Sequence, residues 1–105
     1  MGRKLPPDQL ELYRRCDEVL HYVWDPIGVA GAPGARDEYH AYLPMVFRLL
    51  VEGGDKDRLS QALLEVQAGA MGLPRDPASA GAAATVLLEW REWVSKHKDR
   101  YGRGE

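Results

Sequence analysis

A chain of 105 residues with 45% hydrophobic and 29% charged residues has a globular composition and is long enough to bury one core of its own. Lys+Arg 14 against Asp+Glu 16 gives a net charge of −2, without the basic excess of a duplex-binding domain, so nucleic acid is not the expected partner. Cys16 is the only cysteine, which rules out an internal disulfide and fits a reducing compartment.

The first predicted element is a helix over about 8–24. Asp8 stands at its N-cap with Glu11 three residues on, and apolar residues follow at 12, 16, 19, 20 and 23. Pro26 ends it, and Asp25, preceding a proline, is expected in extended backbone. Residues 25–38 hold three glycines and two prolines and read as one long loop. Long connections in small domains are often functional. A second helix is expected from about His40 to Val51, with Pro44 tolerated in its first turn and Gly53-Gly54 closing it. Asp55 caps a third helix over about 56–70, which Gly72 ends. A fourth is expected over about 79–97, capped by Ser79 or starting after Gly81, with its apolar stripe on Val86, Leu87, Trp90, Trp93 and Val94. Residues 1–7 and 98–105 read as flexible ends of a single helical domain spanning 1–105. The expected fold class is all-α: a compact bundle of about four helices with one long loop between helices 1 and 2.

The 25–38 loop concentrates the residues with chemistry. Trp24, Asp25, Ile27, Gly28, Asp37, Glu38 and Tyr39 form the candidate binding set. As architecture, the Asp25 carboxylate accepts N–H groups two or three residues on, and Ile27 drops onto the core over a packed Trp24. As function, the acids and aromatics make an exposed recognition edge. His21, Asp25, Asp37, Glu38 and His40 are the residues a metal-dependent hydrolase would use. Their spacing matches no specific zinc motif, and helix capping and dipole effects account for acids and histidines at helix ends. Cys16 lies in phase with the apolar stripe, as a buried structural thiol does. Glycines 28, 31 and 34 do not form a phosphate-cradling motif. Trp90 and Trp93 share one side of helix 4 and are read as core; an exposed one would be an interface anchor.

The stretches WDPIG at 24–28, DEYHAYLPMVFRLL at 37–50 and LSQALLEVQAGAMGLP at 59–74 together resemble a group of small bacterial proteins of unknown function. In that group a helix ends in W-D-P-I-G, a segment close to D-E-Y-D opens the next, and a third helix carries a Leu/Ile-rich run before a short turn. The resemblance covers about residues 12–75, and His40 stands where the group often has Asp, which removes one candidate cap or ligand. It implies no particular activity. Small bacterial proteins of this kind include immunity and antitoxin partners, so it points toward partner binding.

The expected function is therefore a non-enzymatic protein-binding module that masks another protein, with no cofactor and no metal. The alternatives are the metal-dependent hydrolase and a homo-oligomeric scaffold assembling through helix 4. No apolar run reaches the ~18 residues of a membrane span. The opening MGRKLPPDQ has no apolar signal-peptide region, and Pro6 occupies the Ser/Thr position of a myristoylation signal, so a cytoplasmic location is expected.

Overall fold

The computed structural model describes residues 5–29 and 31–101. The described chain is helical, without strands: α1 is Pro7–Val19, α2 Leu43–Val51, α3 Lys56–Glu65 and α4 Pro77–Lys96. Both α1 and α3 run on into a single π-type turn, Leu20–Trp24 and Val66–Ala70 respectively. Short 3-10 turns stand at Pro33–Ala35, His40–Tyr42 and Lys98–Tyr101. The 98–101 part of the expected flexible tail is thus ordered as a turn, and residues 1–4 and 102–105 lie outside the described residues.

The long helix α4 packs along both α3 and α1, and α2 bridges α1 and α3. Ala80, Ala83, Ala84 and Leu87 are fully buried on α4, and the small side chains of the three alanines allow close packing on that face. Leu50, Leu59, Leu63, Leu20, Val46 and Cys16 complete the interior. Burial pushes the Cys16 thiol up to about 12, with the neighbouring Asp17 charge adding to the effect, so the residue behaves as a small core hydrophobe rather than a nucleophile.

Helix ends follow local chemistry with two departures from expectation. Asp55 caps α3 by accepting the Arg58 N–H at 2.9 Å, as read from the sequence. The N-cap of α1 is Pro6, not Asp8; Pro7 takes the first helical position, where its missing N–H costs nothing, and Asp8 sits in the first turn. α4 starts at Pro77 rather than at Ser79 or after Gly81. Asp76 accepts the Ser79 N–H at 3.2 Å, and that cap outweighs the cost of Gly81 inside the helix.

The end of α2 is tied down from two sides. Gly53, at φ 92, donates to the Leu50 carbonyl at 3.2 Å and Gly54 donates to the Leu49 carbonyl at 2.9 Å, the paired bonds of a Schellman motif. From α4, Arg91 Nη1 donates to the Leu50 and Gly54 carbonyls at 2.9 and 2.8 Å. A cation thereby meets the negative end of the α2 dipole. Gly54 has no room for a side chain, because a Cβ there would lie 2.9 Å from the Leu49 backbone oxygen. Gly54→Ala is expected to cost about 1–3 kcal/mol through this overpacking, read as a lower urea midpoint with unchanged slope. A variant as stable as the parent would show that the motif yields at no cost.

Candidate functional site

The corner after α1 is built by the π-type turn. Its closing bond runs from the Asp25 N–H to the Leu20 carbonyl at 3.0 Å, five residues back. A plain α-helix would keep Val23 on the stripe begun by Leu12, Cys16 and Val19. The wider turn moves the frame by one residue, so His21 and Trp24 are buried while Tyr22 and Val23 are exposed. The turn ending α3 has a matching effect, burying Gln67.

Trp24 joins these parts. Its indole Nε1–H donates to Gln67 Oε1 at 3.1 Å, and its backbone carbonyl accepts from the Ser79 hydroxyl at 2.8 Å. Its ring lies 5.4 Å from Tyr39 and 6.4 Å from Tyr42, edge-on to the latter. One residue therefore links the end of α1, the end of α3, the start of α4 and the segment leading into α2, through its indole to α3 and the aromatic rings and through its backbone carbonyl to α4. The Ser79 hydroxyl serves this junction instead of the cap expected from the sequence.

Asp25 does not adopt extended backbone. It sits in the left-handed region at φ 35 and ψ 57, an uncommon conformation for a residue with a side chain. Bonds among the described residues hold the loop there. Asp25 Oδ1 accepts the Val29 N–H at 2.8 Å and the Tyr39 hydroxyl at 2.8 Å, and that same hydroxyl accepts the Ile27 N–H at 3.0 Å. The turn thus spans four residues rather than the expected two or three, and Tyr39, from the far end of the loop, closes it. Burial, reinforced by the hydrogen bond to Asp25, pushes the Tyr39 phenol up to about 12. Gly28, at φ 78, supplies the positive φ that lets the chain turn back.

These positions correct the expected recognition edge. Trp24 and Tyr39 are each only 2% exposed and cannot offer contact area; they are the mounting of the loop. Ile27, expected in the core, is 46% exposed, because its N–H is spent on Tyr39 and its side chain points out of the lock. Asp37 and Glu38 are exposed, and among the described residues neither carboxylate makes a hydrogen bond or ion pair. Beside them Arg36 makes a two-pronged pair with Asp17 of α1, Nη1 to Oδ1 at 3.0 Å and Nη2 to Oδ2 at 3.2 Å, and His40 Nε2 lies 3.1 Å from the same Asp17. The Arg36 guanidinium also lies over the Tyr22 ring at 5.4 Å. The sequence reading missed Asp17, Arg36 and Gln67; none belongs to a motif, and only their long-range pairing makes them part of the corner.

The hydrolase set is not assembled. His21 is buried at 2% exposure against the rings of Tyr22 and Tyr39, and its Nδ1 has no hydrogen-bond partner among the described residues. Asp25 is engaged with the loop, Asp37 and Glu38 face outward, and His40 faces Asp17. Among the described residues no group of three or more His, Cys, Asp or Glu side chains is placed to hold a metal ion. A cleft of about 790 Å³ between α2 and α3, lined by Met45, Leu49, Arg58, Gln61 and several acids, brings no nucleophile and base together.

Among the described residues no helix is long and apolar enough to cross a membrane. Compared with known proteins, the chain matches no family model, no curated protein and no solved structure.

Proposed function

We propose that this chain is a non-enzymatic binding module that masks a protein partner, in the manner of an immunity or antitoxin protein. The observation that carries this reading is the contrast within one loop. Its frame is fixed by the Trp24–Gln67, Asp25–Tyr39 and Asp17–Arg36 contacts, whereas Asp37 and Glu38 are exposed and their carboxylates make no hydrogen bond or ion pair among the described residues. Tyr22 and Ile27, 58% and 46% exposed, flank the frame on the side of Arg36 and Tyr39. Aromatic and aliphatic groups with a charged rim, held on a rigid support, are the ingredients of a protein interface. The contacts in this reading are Ile27, Gly28, Asp37 and Glu38 joined by Tyr22, with Trp24, Asp25 and Tyr39 behind them as scaffold. The acids favour a partner with a basic surface, through steering and register.

The test is affinity capture from the producing cells with the tagged protein as bait, followed by quantitative mass spectrometry. Asp37→Lys combined with Glu38→Lys should lower recovery of the partner by at least about tenfold, the scale of reversing close interfacial charges. Both positions are exposed, so the thermal midpoint should stay within about 2 °C of the parent. Equal recovery with the charge-reversed bait would remove the acids from the interface. Lost recovery with a much lower midpoint would show that the effect is on folding.

A further inference from the structure

We propose that the cleft on the outer side of the α2–α3 pair seats an amphipathic helix of another protein, one that carries lysine or arginine along a flank. This surface shares no residue with the loop and does not depend on the masking reading. The cleft holds about 790 Å³. The helical repeat turns Leu43, Val46 and Leu50 of α2 and Leu59 and Leu63 of α3 into the core. That leaves Met45 and Leu49, one turn apart on α2, and Ala62 on α3 as an apolar floor. Met45 is 37% exposed, and Leu49 is half-buried where it also packs against the core. Ala62 ends at a methyl between the long side chains of Arg58 and Glu65 on the same stripe of α3, which leaves the hollow.

The rim selects the occupant. Asp55, Asp57 and Glu65 line it against one cation, Arg58, and all four are exposed. Among the described residues the fold leaves this negative charge unbalanced. Asp55 accepts the Arg58 backbone N–H, Glu65 accepts a neutral amide hydrogen of Gln61 at 3.3 Å, and the Asp57 carboxylate makes no hydrogen bond or ion pair. A basic guest is therefore favoured over an acidic one, through steering and register. Its form follows from the walls. A groove between two helices takes the ridge that side chains at i, i+4 and i+7 make on a third. An extended peptide needs an open sheet edge, and the described residues contain no strand. A small solute needs convergent polar groups held in place, whereas every polar side chain on this rim is exposed. A second copy related by a two-fold axis would bring together two rims of the same net sign. The flexible thioether of Met45 adapts to an apolar side chain of the guest. Arg58 makes no ion pair among the described residues and can take one acid of the guest.

The experiment titrates the full chain into a fluorescein-labelled, hydrocarbon-stapled helical peptide of about fourteen residues, read by fluorescence anisotropy at physiological salt. The peptide carries leucines at i, i+4 and i+7 and lysines beside them; a twin replaces the lysines with glutamates. The lysine peptide should saturate with a Kd below about 100 µM, and the glutamate twin should bind at least about tenfold more weakly. Asp57→Lys combined with Glu65→Lys should reverse that order. The two changes lie at opposite ends of α3, so their effects on the helix dipole oppose each other and the thermal midpoint should stay within about 3 °C of the parent. Met45→Ala should weaken the lysine peptide about three- to tenfold, which attraction between charges alone would not do. The Asp37→Lys, Glu38→Lys protein should bind it as the parent does, which separates this surface from the loop. The proposal is overturned if the lysine peptide fails to saturate by about 1 mM, if the glutamate twin binds as well, or if the Asp57 and Glu65 reversals leave affinity unchanged. It is also overturned if binding is lost in the loop variant instead. A dimer in sedimentation of the protein alone that Met45→Ala dissolves would assign the cleft to a second copy and overturn it as well.

Discussion

Trp24→Ala is expected to leave the protein largely or wholly unfolded at room temperature. Removing a fully buried tryptophan costs about 3–5 kcal/mol in lost burial and residual cavity. At this position a second penalty adds to the first. The indole N–H is the donor to Gln67 Oε1 at 3.1 Å, and that buried oxygen would lose its partner, at about 1–3 kcal/mol more. The sum is comparable with the roughly 5–15 kcal/mol by which small domains are stable. Far-UV circular dichroism with urea titration measures it, and Trp24→Phe gives the intermediate case, since phenylalanine keeps one buried ring but loses the donor and part of the indole's volume. A cooperative transition in Trp24→Ala within about 1 kcal/mol of the parent would show that the junction of α1 and α3 is not held by this side chain.

The second large effect is a loss of stability at alkaline pH. Two buried groups, Cys16 and Tyr39, hold their protons in the folded protein to about 12, against ordinary values of 9.0 and 10.0. A raised value means that the native state favours the protonated form. The stabilisation is therefore complete below about pH 9 and is withdrawn as pH rises toward 12, where the unfolded chain has released protons that the native chain still holds. Each tenfold difference in proton affinity is about 1.4 kcal/mol, so Cys16 contributes on the order of 4 kcal/mol and Tyr39 on the order of 3 kcal/mol by the upper end of that window. Urea midpoints taken from pH 8 to 11.5 should fall steeply above pH 9. Tyr39→Phe should flatten the part above pH 10, although it is less stable than the parent at neutral pH because it loses the Asp25 and Ile27 bonds. Cys16→Ala should flatten the part that begins near pH 9. A parent protein with level stability from pH 8.5 to 11, or a double variant with the parent's slope, would contradict the assignment. Because Tyr39 closes the 25–38 loop, the same titration also reports when that loop is released.

The exposed faces divide along similar lines. Asp37 and Glu38 can be reversed in charge at little cost because nothing in the fold leans on them. Trp24, Asp25 and Tyr39 belong to the same 24–39 stretch as Asp37 and Glu38, yet they hold the loop from within: Trp24 and Tyr39 are buried and Asp25 is bonded to its own loop. A substitution at Trp24, Asp25 or Tyr39 that abolished partner capture would therefore say little about contact, whereas one at Asp37 or Glu38 would say much.

The sequence by itself determined the all-α class and the helix limits near Pro26, Gly53-Gly54 and Asp55. Those depend on residues that act on their own neighbours: a proline that cannot continue a helix, a glycine that accepts positive φ, an aspartate that reaches the next N–H groups. It also marked Cys16 as a core thiol from its place in the 3.6-residue repeat. What only the tertiary structure decided was the direction of side chains beyond the two π-type turns. One extra residue in a turn shifts every later position around the helix, and no local pattern in LHYVW or VQAGA announces it. That shift sends Trp24 to Gln67 and leaves Tyr22 and Val23 outside. Tyr39 reaches back 14 residues to Asp25, and Ser79 reaches 55 residues to the Trp24 carbonyl; such bonds exist only once the helices have packed. The exposure of Trp93 was settled in the same way, because Ala80, Ala83 and Ala84 draw the other side of α4 against the bundle and the larger aromatic side chains are left at the surface.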